Sequence, residues 1–428
     1  MSEQAENISR LPRDASNQER IDADWRVGLR KKGQQATYIG DERNVLGALR
    51  AAPDLCGLIR FDMFALTTDF MRSPPWRHVE VGERWTDDDD TALMSYLQDH
   101  DIAVRSKNVV SDCVSLVAKD ASVHPVREYL NALEWDGRDR IDWWLEVYLG
   151  AKGNPDYLTE VGRSWLISAV ARIEQPGCQA DHMLVLEAIQ GAGKSRAART
   201  LAICPAWFAD SIGDLRSKDS ALQLCGKWVI ELSELVAVRR ADVEQVKGYI
   251  SRTQDVYRPP YSRRAATVPR QCVFIGTTNE REYLRDRTGN RRYWPVRCEA
   301  IDIAELERDR EQLWAEAVHA YRAGRLWYLD ERIATHAATE QDQRVRQSEL
   351  ETNVAEYLDR IGAEGADEVT TRQIFEHALG LDPSSGHYIE QTVRLGALVA
   401  AAIERTDWSR AGKRGRGKSA RTVYRRCS

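Results

Sequence analysis

Residues 183–195 read MLVLEAIQGAGKS, a short apolar run that meets a loop of small residues closing on lysine and serine. The run MLVLEA (183–188) has the pattern of a strand buried on both faces of a parallel sheet. After Ser195 the stretch RAARTLAI is helix-forming. A phosphate-binding loop needs this context. Backbone N–H groups must converge on the phosphates, a lysine must reach the β and γ oxygens, and a hydroxyl must hold Mg²⁺ at the start of a helix. Here Gly191 and Gly193 relax the backbone, Lys194 is the cation and Ser195 is the magnesium ligand. Gln190, Ala192 and Arg196 complete the expected cradle. Ala188 stands where such loops mostly begin with glycine, and alanine serves there if its φ is not strongly positive. The plain alternative is an accidental match, which the strand–loop–helix order disfavours. ATP and Mg²⁺ are the expected ligands.

The sequence on either side of the loop extends this reading. KWVIEL (227–232) and CVFIGT (272–277) are two more short apolar runs. With crossovers between them they imply an α/β core. KWVIELSEL places Glu231 and Glu234 near the end of a buried strand. An acid there touches magnesium through water and orients the attacking water. One of the two can instead cap the following helix. CVFIGTTN ends on Thr277, Thr278 and Asn279, where a polar side chain can sense the γ-phosphate. DRTGNRRYWPV (286–296) sets Arg291 and Arg292 on a tight Gly-Asn turn. Arginine suits the transition-state charge of a phosphoryl group and often comes from a neighbouring subunit. Taken alone, such a pair reads as surface ion pairing.

The 428 residues allow two to four domains at roughly 100–200 residues each. A net charge of −5 does not announce a nucleic-acid partner, so distribution decides. The last twenty residues hold eight Lys/Arg and no acid, whereas Asp87–Asp90 is an acidic run. WTDDDD reads as a helix start, with an Asp cap and acids at the positive end of the dipole. A metal site there is the weaker reading, because adjacent carboxylates splay apart. Eight scattered cysteines without a CxxC spacing fit a reducing compartment. The polar N-terminus lacks a signal-peptide core, and no apolar run is long enough to span a bilayer. A cytoplasmic protein without a membrane partner is expected.

Taken together, HPVREYL…WDG, AIQGAGKS, GKWVIELSEL, VKGYISRTQDVYRPPYSRR, FIGTTN and TGNRRYWPV resemble the virulence-associated protein E family of phage and genomic-island proteins. That group is similar to superfamily 3 helicases and to poxvirus-type primase–helicases. The resemblance is strong from about His124 to Val296 and looser elsewhere, through PPW and RWTDDD. It implies an AAA+-like ATPase that assembles as a ring, usually a hexamer, and moves on DNA during replication of a mobile element. Carried over by position, Lys194 and Ser195 are the phosphate-loop residues, Glu234 matches the catalytic acid best, and Asn279 is the sensor. Arg291 or Arg292 is the arginine finger in trans, and Lys247 resembles a second basic residue reaching the neighbouring nucleotide. The chain departs from the pattern at Ala188 and in carrying Glu rather than paired Asp on the acid strand.

Two stretches are candidates for contact with DNA. YRPPYSRRAATVPR (257–270) reads as a basic hairpin or loop, and related ring helicases place a DNA-tracking hairpin here. Arg258, Arg263 and Arg264 would hold phosphates, and Tyr261 a base or sugar. The alternative is a subunit-interface loop. At the C-terminus, helix, turn, helix and then WSRAGKRGRGKSARTVYRR fit a winged helix with a basic wing. Lys413, Arg414, Arg416 and Lys418 would make phosphate contacts. A disordered basic tail is the alternative.

The expected fold is α/β, an AAA+-like P-loop ATPase core with a helical N-terminal region and a small C-terminal winged-helix-like module. The expected layout is a tail (1–20), an α+β accessory domain (21–120), a helical collar (121–180), the ATPase (181–345) and the basic module (346–428). Asp87–Asp90 lies at a helix start rather than on strands, so priming activity is not expected, and a separate primase or replisome partner is. The expected activity is that of an ATP-driven DNA helicase or translocase. The alternative is an origin-binding or loader protein that uses ATP as an assembly switch and does not unwind.

Overall fold

A computed structural model describes residues 25–31, 33, 37–210, 220–233, 246–257, 265–284, 289–345, 349–404, 406–414 and 421–427. The chain divides into two compact units. The first comprises Met1–Ala237, Glu244–Asn279 and Arg291–Ala337, and the second Val238–Val243, Glu280–Asn290 and Ala338–Ser428.

The N-terminal part of the first unit is mixed. Strand β1 (Tyr38–Gly40) pairs in parallel with β4 (Ile102–Val104). Strand β2 (Ile59–Asp62) lies between antiparallel β3 (Thr67–Phe70) and parallel β5 (Ser122–Val123). Helices Glu42–Ala51, Asp87–Asp99 and Lys107–Asp120 pack over a core that includes Val45, Leu49, Phe70, Leu93, Leu97 and Val110. The acidic run does start a helix, but its cap is Thr86 rather than an aspartate. Thr86 gives its N–H and hydroxyl to Asp89, at 3.0 and 2.8 Å. Burial raises the Asp89 pKa, but hydrogen bonds from Arg77, Thr86 and Trp76 outweigh it and hold the carboxyl at about 2.

The rest of the first unit is built on six strands in the order β6-β13-β7-β12-β9-β8. These are β6 (Ala151–Lys152), β7 (Met183–Glu187), β8 (Phe208–Ala209), β9 (Val229–Ser233), β12 (Val273–Thr278) and β13 (Tyr293–Cys298). All are parallel to their neighbours except β6. In β7 and β12 every residue is buried, which is why they read as unbroken apolar runs. Strand β13 was hidden in the sequence by Pro295, which cannot donate to a ladder. The fold tolerates it because β6, on the outer side, pairs only with Arg297 and Cys298.

One core crosses residue 180. Helices Pro155–Glu174 and Ile303–Arg322 pack on the sheet, and Trp144, Trp165, Leu184, Leu186, Trp228 and Trp314 share a single apolar cluster. Each of three buried indoles finds a carbonyl, since an unpaired N–H there would be costly. Trp165 donates to Phe274 at 2.9 Å, Trp228 to Ala169 at 3.0 Å and Trp314 to Leu201 at 3.0 Å. The 155–174 helix is buried almost all round rather than amphipathic. The helix Ile303–Arg322 ends before Gly324, which lies in the left-handed region, and a second helix, Glu331–Asp342, follows.

Strands β10 (Gln254–Tyr257) and β11 (Ala266–Pro269) form an antiparallel ladder from Gln254↔Pro269 to Tyr257↔Ala266. No helix among the described residues is long and apolar enough to cross a membrane.

The second unit holds helices Glu349–Ala363 and Tyr388–Ile403 and an antiparallel sheet, β14 (Glu368–Thr370), β16 (Arg421–Arg426) and β15 (Trp408–Arg414), in that spatial order. In the 388–403 helix Val399 and Ile403 enter the core, whereas Val393 is 77% exposed. The apolar residues of this helix therefore lie on more than one of its sides.

Candidate functional site

The site forms at the carboxyl ends of β7, β12 and β9. Because β12 is inserted between β7 and β9, the loop after β7, the tip of β12 and the acid of β9 become neighbours. A crevice outside the carboxyl ends of parallel strands is where α/β sheets place ligands.

Residues 188–193 connect β7 to the helix Lys194–Leu201. Gly191 has φ 81° and Gly193 has φ 99°, both in the left-handed region open to glycine. Ala188 is not among the residues with positive φ, so its side chain costs no strain. Its N–H donates to the Thr278 carbonyl at 3.2 Å, which ties the loop to the tip of β12. Gln190, Gly191 and Arg196 are exposed, while Ala192 and Gly193 are half-buried.

Lys194 folds back over the loop. Its Nζ donates to the carbonyls of Ala188 at 2.7 Å and Ile189 at 3.0 Å. Partial burial lowers its pKa, and the nearby Cys298 and Glu231 act the other way. The ammonium thus waits over the space that the glycines leave open.

Ser195 Oγ donates to Glu231 Oε1 at 2.6 Å, and Thr277 Oγ1 donates to the same oxygen at 2.6 Å. Glu231 is 2% exposed. One nearly buried carboxylate is therefore steered by a hydroxyl from the loop helix and another from β12. Asn279 follows β12 and is exposed one residue beyond the carbonyl that holds Ala188. These oxygens fit magnesium, which takes one or two protein oxygens and completes its shell with phosphate and water. Glu234 lies outside the described residues.

Arg291 and Arg292 stand at the other end of the sheet. They occupy a turn, Asn290–Arg292, that leads into β13. Tyr293 pairs with Met183, the first residue of β7, whereas the loop begins beyond Glu187. At about 3.3 Å per residue the pair starts more than about 13 Å from the loop of its own chain. That is beyond the reach of an arginine side chain. Arg291 is exposed. Arg292 Nε donates to Ser251 Oγ at 2.6 Å.

Lys247 departs from expectation. It is 2% exposed and has interactions of its own, so it is not presented toward a neighbouring molecule. Of the DNA candidates, Arg258, Tyr261, Arg263, Arg264, Arg416 and Lys418 lie outside the described residues. Strands β10 and β11 flank the first four in the sequence. Lys413 and Arg414 are exposed on β15, and Arg414 pairs with Glu368 at 3.2 Å. Arg425 also reaches Glu368, at 2.5 Å, and lowers the pKa of that carboxyl.

Two residues were not assigned their roles from sequence. Thr277 was visible as a polar end to an apolar run, but its partner was not. Ser251 carried no signal, because its role depends on a turn 41 residues away.

A family profile, the Virulence-associated protein E-like domain, matches residues 130–346, just over half of the chain. A search of curated proteins finds no match. Among solved structures, the apo structure of the NrS-1 C-terminal region (305–718) is 13% identical, with 85% of this chain and 95% of that chain covered at a TM-score of 0.49. The A-form apo structure of the same region is 12% identical over 86% and 96%, at a TM-score of 0.43.

Proposed function

We propose that this chain, which belongs to the virulence-associated protein E-like domain family, is an ATP-hydrolysing DNA helicase or translocase. It acts in the replication of a phage or mobile element, as a ring in which each subunit supplies an arginine to its neighbour's nucleotide. The observation that carries this reading is the convergence of Lys194, Ser195, Glu231 and Thr277 at the ends of three adjacent strands.

The residues take the following roles. The N–H groups at the start of the 194–201 helix cradle phosphate. Lys194 exchanges its two carbonyl partners for phosphate oxygens, since charge-assisted bonds to phosphate are the stronger. Ser195, now bonded to Glu231, would offer its hydroxyl oxygen to a bound metal. Mg²⁺, if bound, would be held by Ser195 and Glu231 and would supply positive charge against that developing on the phosphates. Thr277 keeps Glu231 aimed, and Asn279 sits where the γ-phosphate ends. The strand order supports the AAA+-like reading by placing a polar strand tip between the loop strand and the acid strand.

Sequence order in the second unit, helix, strand, helical turn, helix and two-stranded ribbon, supports a winged-helix-like module with Lys413 and Arg414 on its wing. The stem of β10 and β11 supports a basic hairpin carrying Arg258, Tyr261, Arg263 and Arg264 to DNA.

The test is ATP hydrolysis by the purified chain with and without single-stranded DNA, with particle mass recorded in the same buffers. Hydrolysis stimulated by DNA in a ring-sized particle is expected. A monomer indifferent to DNA would overturn the helicase reading. An ATP-dependent assembly that binds duplex and never separates strands would make the chain a loader.

A further inference from the structure

The helix Tyr388–Ile403 of the second unit has two unlike sides. Val399, Ala402 and Ile403 are buried and share a core with Val354, Leu358 and Trp408. On the other side Ile389 is 76% exposed, Val393 77% and Leu398 44%, and Ala397 is exposed among them. Residues four apart lie on one face of a helix, so Ile389, Val393 and Ala397 make a single apolar stripe. Glu390 and Arg394, also four apart and both exposed, run along one edge of that stripe. The Nδ1 of His387, at the start of the helix, lies 3.7 Å from Glu390.

This face does not suit DNA. Base edges are read by basic and amide side chains. The helix offers one arginine beside a carboxylate, and phosphates repel a carboxylate. Basic side chains gather on the sheet instead, where Arg410, Lys413, Arg414, Arg421 and Arg425 are exposed.

The chemistry of the face matches a second copy of itself. In a pair related by a two-fold axis one patch serves both partners. With two such helices antiparallel and crossing at Val393, the bulky Ile389 of each meets the small Ala397 of the other. The same axis turns the charged edge of one helix onto the charged edge of its mate. Glu390 then faces Arg394 of the second copy, twice over. A parallel pair would set the charged edge against the uncharged edge that carries Thr392 and Gly396.

We propose that two copies of this chain pair through the exposed face of the 388–403 helix. The helices run antiparallel, Ile389, Val393 and Ala397 form the contact, and Glu390 of each is set against Arg394 of the other. Such a contact is two-fold, unlike the head-to-tail contacts that close a ring, so it is a separate interface and does not rest on the ATPase reading.

The test is sedimentation of the full chain, without nucleotide, over a range of concentrations. Val393→Glu should raise the dissociation constant of the pair at least about tenfold, since like charges then meet at its centre. Lys194→Ala should pair as the wild type does. Glu390→Arg and Arg394→Glu should each weaken pairing by about tenfold, because each sets like charges together. Mixed in equal amounts, these two variants should pair with one another as the wild type pairs with itself. Mixing would not rescue an ion pair made within one helix. The substituted residues of this face are exposed, so thermal unfolding should show the fold kept. A mass that Val393→Glu leaves unchanged, or a mixture that stays unpaired, would overturn the proposal. Loss of duplex DNA binding by Val393→Glu, with mass unchanged, would overturn it too and assign the helix to DNA.

Discussion

The two ends of the central sheet differ in what they leave unfinished. At the carboxyl ends of β7, β12 and β9 the polar groups find partners within the chain. Lys194 rests on loop carbonyls, and Ser195 and Thr277 meet on one oxygen of Glu231. At the amino end of β13 the turn offers Arg291 to solvent, and Arg292 donates to the Ser251 hydroxyl. In the proposed reading the first end holds its ligand with groups of one chain. The second carries a charge that the length of β7 keeps away from the loop of its own chain. On the proposed function, such a sheet would bind its ligand alone and hydrolyse it only in company.

The comparison breaks most sharply at Lys194. Lys194→Ala should reduce hydrolysis by at least about a thousandfold, since it removes a binding cation and a transition-state donor together. Nucleotide binding, followed by an analogue's fluorescence, should fall as well. Arg291→Ala should also reduce hydrolysis by about a thousandfold, the low end for such an arginine, but with binding retained. If binding falls in both variants, the two ends are not distinct.

Smaller effects sharpen the account. Thr277→Ala leaves Glu231 with one steering hydroxyl. It should lower the turnover number by roughly tenfold to a hundredfold, with little change in KM, which steady-state kinetics will show. Ala188→Gly should change hydrolysis by less than about twofold, because Ala188 already has an unstrained backbone. A large gain from that glycine would mean that the loop is strained after all.

The legibility of the sequence follows the same divide. The strand–loop–helix around AIQGAGKS is contiguous, so its order of elements could be read directly from the sequence. Glu231 and Thr277 could be found because each puts a polar group near the end of an apolar run. What depends on distant partners was hidden. Arg163, Ser168 and Arg172 interrupt the apolar residues of the 155–174 helix, yet they are buried, with Arg163 on Asp142, Ser168 on the Trp165 carbonyl and Arg172 on the Ala180 carbonyl. The boundary drawn near residue 180 therefore cuts through one core. Lys247 looked available and is buried, because sequence does not show which side of a short helix faces in. Strand β13 was concealed by Pro295, whose tolerance depends on how briefly β6 pairs with it.

The central claim is that the nucleotide site is completed by a second copy of the chain, and one mixing experiment addresses it directly. Lys194→Ala subunits keep Arg291 but cannot hold ATP, and Arg291→Ala subunits hold ATP but lack the arginine. Each is expected to be inactive alone. Mixed in equal amounts, they should recover a measurable fraction of wild-type hydrolysis, because some interfaces pair an intact site with an intact arginine. Mixed particles of ring mass that remain as inactive as either variant alone would contradict the account.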